Sequence, residues 1–216
     1  MDAKAKARVV VERLLEAFPD WEISLDYETT FQLLCATILS AQCTDEMVNR
    51  VTPELFKHYP TPEAMAQAPL DHMEELVHST GFYRQKAKRL IGSAQIIMDE
   101  HDGQVPETMK ALTALPGVGR KTANVVLHHA FDQTEGIVVD THVKRIANRL
   151  GLTTTRDPVR AERELMEIVD PEDWKRWTHL LIEHGRETCM ARNPACGRCV
   201  LQDICPSASR FLDPPA

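Results

Sequence analysis

The sequence predicts an all-α protein on three observations. Apolar residues recur every three or four positions along most of the chain, and no stretch sustains period-two alternation. Turn-forming residues are densest at Leu115-Pro116-Gly117-Val118-Gly119, between two helical stretches. Val10, Val11, Leu14, Leu15 and Phe18 mark the apolar stripe of a first helix, and Phe31, Leu34, Ile38 and Ala41 repeat the spacing in a second. Thr61-Pro62-Glu63 offers an N-cap followed by proline at the first helical position, ending one helix and starting another. Residues 86–98 read as a basic amphipathic helix closed by Asp102-Gly103. A short helix over about residues 108–114 and a longer one over about 120–131 flank the turn Leu115-Pro116-Gly117-Val118-Gly119. A second break at 132–136 leads through an extended connector, 137–139, into Asp140 and another helix. The last helical pattern runs through Trp174, Trp177, Leu181 and Ile182. No internal repeat or low-complexity segment interrupts this order.

A chain of 216 residues makes one compact domain or two small ones packed together. Its 43% hydrophobic and 26% charged residues are the profile of a soluble globular protein. The longest apolar runs, such as residues 33–39, are far too short to span a bilayer. The N-terminus has neither a long apolar core nor a small-residue cleavage site, so the expected location is the cytosol or the nucleoid, without export. A net charge of −7 argues against non-specific coating of nucleic acid. It leaves room for a local basic face, because charges more than about 8–10 Å apart are screened at ordinary salt. Arg84, Lys86, Lys88 and Arg89 fall in one acid-free run, and Arg120, Lys121, Lys144, Arg145 and Arg149 enrich residues 116–150. The acids gather around 63–75 and 162–173. The simplest reading of any one such run is a solvated helix face.

Gly117-Val118-Gly119 stands directly before a helix. Two glycines around one small apolar residue expose backbone N–H groups at the positive end of a helix dipole, a site for an anion and usually for phosphate. Alone the pattern equally describes a tight αα turn; Arg120 and Lys121 add cations where a phosphate would sit. Asp140 opens Asp-Thr-His-Val, a sequence suited to a helix N-cap.

The six cysteines divide sharply. Cys35 and Cys43 stand alone in or beside an apolar segment, while Cys189, Cys196, Cys199 and Cys205 fall within seventeen residues. Without an export signal a metal site is a better reading than disulfides. Four soft ligands suit zinc or an iron–sulfur cluster. A zinc ribbon has two close knuckles and this array has one, which favours iron only weakly.

LPGVGRKTANVV (115–126) resembles the helix–hairpin–helix of base-excision DNA glycosylases, and VDTHVKR (139–145) matches the next landmark of that superfamily. With the 6-2-5 cysteine spacing and HGR at 184–186, the chain resembles the endonuclease III family from about Phe31 to Cys205. The resemblance implies a bifunctional glycosylase and AP lyase that excises oxidised pyrimidines from damaged double-stranded DNA. Lys121 is then the nucleophile, forming a Schiff base at the sugar C1′, and Asp140 the paired carboxylate. A lysine must lose its proton to attack, and in water its pKa is about 10.4. LSAQCTD (39–45) resembles the loop that fills the gap left by a flipped base, with Gln42 as the plug. Gly81-Phe82-Tyr83 resembles a second wedge, although an aromatic after glycine is often a core anchor. The same match sets Ser40 and His142 near the flipped nucleotide, with a satisfied polar core role as the alternative for each. It makes Gly117, Val118, Gly119, Arg84 and Arg192 further DNA contacts. Cys43, Phe82 and Arg84 depart from the commonest family pattern, which bears on substrate preference rather than chemistry.

The implied cofactor is a [4Fe–4S] cluster on Cys189, Cys196, Cys199 and Cys205, holding an otherwise coreless tail. The implied architecture is a helical barrel domain over 22–133 and a cluster domain of 1–21 with 134–216, with DNA across a cleft and the protein a monomer. An adenine glycosylase shares the hairpin, aspartate and cysteines but lacks the nucleophilic lysine. A non-catalytic iron–sulfur module that binds DNA or senses redox state leaves Lys121 with Asp140 unexplained. Borohydride trapping of a covalent DNA adduct separates that module from the enzyme.

Overall fold

A computed structural model describes residues 1–212, and every regular element among them is a helix or a 3-10 turn. In chain order the helices are α1 (Ala3–Ala17), α2 (Thr30–Leu39), α3 (Asp45–His58), α4 (Pro62–Ala66), α5 (Leu70–Leu76), α6 (Tyr83–Glu100), α7 (Met109–Ala114), α8 (Arg120–Ala130), α9 (Thr141–Arg149), α10 (Pro158–Met166), α11 (Trp174–Glu187) and α12 (Ser209–Leu212). The chain forms two compact units. One is Ser24–Glu135; the other joins Met1–Ile23 to the chain from Gly136 onward. Residues 213–216, which the sequence reading assigns to the cluster domain, lie outside the described residues.

In the unit Ser24–Glu135, α2 is buried nearly all round, with Phe31, Leu33, Leu34, Cys35, Ala36, Ile38 and Leu39 in the core. A helix apolar on every side belongs inside a bundle, and α2 packs against α3, α6 and α8. Fully burying each such leucine contributes about 1.5–3 kcal/mol. Threonine hydroxyls cap four of these helices: Thr29, Thr44, Thr61 and Thr108 accept from the N–H groups of Gln32, Met47, Ala64 and Ala111. Each cap is worth about 1 kcal/mol. Thr61 with Pro62 starts α4 as their sequence predicts.

Two expectations need correction here. Ala41 is not part of the α2 stripe, because the helix stops at Leu39 and the chain turns, with the Cys43 N–H donating to the Ser40 carbonyl at 3.1 Å. The basic helix predicted over 86–98 begins at Tyr83 and ends at Glu100. Its closure is the predicted one: Asp102 and Gly103 take positive φ, and the Gly103 N–H returns to the Ile97 carbonyl.

The other unit has its own core, built on Val10, Leu14, Ile146, Trp177 and Leu181. α11 lies between α1 and α9. The segment 137–139 has no regular secondary structure; Ile137 and Val138 are buried, and the Thr178 hydroxyl donates to the Val138 carbonyl at 3.1 Å. That bond ties the connector to α11 just before Asp140.

Candidate functional site

The hairpin between α7 and α8 is shaped by its apolar residues. Leu115 and Val118 are buried, while Gly117 and Gly119 are exposed. The Val118 N–H donates to the Leu115 carbonyl at 3.1 Å, and the Ser93 hydroxyl donates to the Pro116 carbonyl at 3.0 Å. The Val118 side chain thus anchors the hairpin in the core while its N–H closes the turn. Gly117 has φ 82°, and a Cβ there would lie 2.6 Å from Arg89 Cδ. Gly119 begins α8 without a side-chain cap, and a Cβ on it would meet nothing within 4 Å. Open space, an N-cap with no side chain and the positive end of an eleven-residue helix make this an anion-binding geometry. Lys121 is exposed in the first turn of α8.

Asp140 is the N-cap of α9: its Oδ1 accepts the Val143 N–H at 2.8 Å. Its cap role is thus real, and a carboxylate has lone pairs to spare for a second. Two residues on, His142 Nδ1 lies 3.2 Å from Arg145 Nη2. Burial pushes the His142 pKa down; Asp140 opposes this, and Arg145 acts in the same direction as burial. Arg145 donates to the Gly185 and Cys189 carbonyls, both at 3.2 Å. This joins α9 to the end of α11, where a Cβ on Gly185 would come within 2.6 Å of His142 Nδ1.

Ser40 is half-buried, with its hydroxyl on the Thr37 carbonyl. Gln42 is exposed at the tip of the loop after α2, in a left-handed conformation with φ 54°. Phe82 has φ 47° and is 63% exposed, so its core-anchor reading is overturned. Arg84 is exposed, 3.9 Å from Glu74 and near the Tyr83 ring. Arg192 is exposed in the loop after α11.

Cys189, Cys196, Cys199 and Cys205 line one small cavity, with Ile146, Leu150, Leu201 and Ala208 among its apolar walls. Burial, and then the neighbouring cysteines, push the Cys196 thiol above its ordinary value. Burial does the same to Cys199 and Cys205. The charge of a bound metal centre offsets such a penalty. Four soft thiols lining one largely apolar cavity suit an iron–sulfur cluster.

Sequence reasoning gave no role to Arg149, whose guanidinium donates to Cys189 Sγ at 3.2 Å and to the carbonyls of Cys189, Met190 and Ala191. It also gave no specific role to Gly185, noted only within HGR, or to Lys86, noted only within a basic run. The signal for Lys86 was present, since it stands four residues before Leu90 on the buried stripe of α6.

Residues 35–171 match the HhH-GPD superfamily of base excision DNA repair proteins, and residues 189–205 match the iron–sulfur binding domain of endonuclease III. Endonuclease III of Synechocystis sp. is 53% identical over 205 residues, covering 95% of this chain and 94% of that protein. The chain belongs to the endonuclease III family. Membership makes it a DNA glycosylase and AP lyase of base excision repair, and its cofactor is a [4Fe–4S] cluster. Two solved structures share its fold at a TM-score of 0.92 and 39% identity. One is a non-covalent endonuclease III–DNA complex, which covers 98% of this chain and 99% of its own. The other is a trapped covalent endonuclease III–DNA intermediate with an estranged adenine, at 98% and 100%. Among the described residues no helix is long and apolar enough to cross a membrane.

Proposed function

We propose that this endonuclease III family member excises oxidised pyrimidines from duplex DNA with Lys121 as nucleophile and Asp140 as its paired carboxylate. The observation that carries this reading is the exposure of Lys121 one residue beyond an open, uncapped helix start, where bound phosphate would draw the sugar toward the amine. The neutral amine attacks C1′, and the C1′–N bond breaks as the base leaves with the electron pair and takes up a proton. Ring opening leaves a protonated imine on Lys121. Loss of a C2′ proton then expels the 3′ phosphate and cuts the strand, and water hydrolyses the imine to return the amine. Asp140 stabilises positive charge on the sugar or moves a proton.

Gln42 and Phe82 fill the gap left by the extruded nucleotide. Gln42 is exposed in the loop after α2 and Phe82 at the start of α6, which supports the assignment. Gly117 and Gly119 hold the phosphate, Ser40 and His142 lie at the flipped nucleotide, and Arg84 and Arg192 contact the backbone. The enzyme acts as a monomer in the cytosol or on the nucleoid. The four cysteines hold the cluster as a scaffold rather than as a reacting group.

Lys121→Gln tests the nucleophile, because it removes the amine and keeps the hairpin amides. Borohydride trapping and strand cleavage should both vanish while duplex affinity stays largely intact. Wild-type cleavage in this variant would refute the assignment.

A further inference from the structure

Lys86 is the fourth residue of α6, and only 1% of it is exposed. Its Nζ donates to the Leu39 carbonyl at 2.7 Å and to the Thr80 carbonyl at 2.7 Å. Leu39 is the last residue of α2, three before Gln42. Thr80 ends the 3-10 turn His78–Thr80, two before Phe82. A carbonyl at a helix end lacks an intrahelical donor and sits at the negative end of the dipole, so an ammonium is a favourable partner for both. One buried charge therefore grips the roots of two loops that lie far apart in sequence.

What those loops hold is costly. Gln42 and Phe82 are non-glycine residues in left-handed backbone, at φ 54° and 47°. Such conformations persist where the surroundings over-determine them. Neither side chain is buried, so packing at the tips does not supply that restraint. The two carbonyls held by Lys86 are a direct tie between the loops. Burying an ammonium is itself unfavourable, and burial pushes the Lys86 pKa down, with Cys43 opposing and Arg89 adding to the effect. A surface lysine in the same helix would avoid that cost.

We propose that Lys86 is a positioning residue that clamps the Gln42 and Phe82 loops in the one mutual geometry from which both enter the gap in the duplex. This rests on the assignment of Gln42 and Phe82 made above. Lys86 does not touch the reacting atoms; its effect falls on base extrusion.

The test uses full-length, cluster-loaded Lys86→Met, with Lys86→Gln carried through the same measurements if the methionine variant does not fold. Amide hydrogen exchange on the free protein should rise roughly ten-fold or more over 40–43 and 81–83 relative to α8. Single-turnover cleavage at an oxidised pyrimidine in duplex DNA should fall roughly ten-fold more than cleavage at an abasic site, which has no base to extrude. Adding Gln42→Ala should cost less in the Lys86 variant than in the parent, because the two act on one step. A lysine that only stabilises the fold gives an even rise in exchange and equal losses on both substrates, which overturns the clamp. Gln42→Ala alone, run in parallel, separates the two ways of failing. If it shows no preference between the substrates, the gap-filling premise is wrong and the proposal falls with it. If it does show one while exchange in the Lys86 variant rises evenly, the clamp itself is wrong.

Discussion

Because Asp140 Oδ1 caps α9, replacing this residue tests two roles that a single variant would confuse. Asparagine caps a helix about as well as aspartate, whereas alanine loses the cap at about 0.5–2 kcal/mol. Asp140→Asn should therefore keep the melting temperature and slow single-turnover cleavage by roughly 10²–10⁴-fold. Asp140→Ala should lose rate and stability together. An asparagine variant at full speed would leave Asp140 a cap and nothing else. Phe82 allows a similarly clean reading. It is 63% exposed, so Phe82→Ala should unfold within about 0.5 kcal/mol of the parent. Its cleavage at a stacked oxidised pyrimidine should fall more than at an abasic site. A large loss of stability would mean that the ring packs elsewhere than in solvent.

Helices position these residues, and glycine sets how closely α9 and α11 approach. Added to Gly185, a Cβ would lie 2.6 Å from His142 Nδ1, 2.8 Å from Arg145 Nη2 and 3.0 Å from Ile146 Cδ1. The first two atoms belong to the row that runs from His142 through Arg145 to the Cys189 carbonyl, so neither can retreat freely. Gly185→Ala should cost about 1–3 kcal/mol, as overpacking does, measured by denaturant unfolding. Cleavage should drop with it, because His142 must shift; unchanged stability would mean that the crossing is looser than these distances. At the hairpin the constraint differs. Gly117 carries φ 82°, which an L side chain rarely adopts, and its close neighbour is the flexible Arg89 side chain. Gly117→Ala should act through the backbone, weakening duplex binding at low salt more than it lowers the melting temperature.

For the molecule as a whole, the cluster cavity gathers segments that would otherwise have little core. The stretch from Cys189 to Leu212 has only short helical turns, and Leu201 and Ala208 are its buried apolar residues. The purified protein should be yellow-brown and contain iron with labile sulfide. Cys199→Ala should lose the colour or accumulate poorly, while Cys35→Ala and Cys43→Ala should keep both iron and sulfide. Cys35 is buried against Met65 in the other unit, so its loss is a packing change there. A colourless wild-type protein with one bound zinc would overturn the cluster. Iron lost on Cys43→Ala would show that the ligand set extends beyond the four.

The sequence by itself determined the helical class, the bounds of the two helices around the hairpin, the starts of α4 and α9, and the four-cysteine array. These are local properties: a 3.6-residue period, a threonine before a helix and the spacing of thiols all act within a few residues. Thr61, Gly117 and Asp140 were legible for that reason. Tertiary structure alone decided which way ambiguous side chains face. Phe82 reads equally as core or surface until the chain turns left-handed before α6 and exposes it. Val118 is one small apolar residue of a turn until the fold buries its side chain and its N–H meets the Leu115 carbonyl. Lys86 belongs by composition to a basic solvated run, yet its Nζ is buried on the Leu39 and Thr80 carbonyls. No local rule gives that bond to Leu39, because its partners are 47 residues apart and meet only when α6 packs on α2.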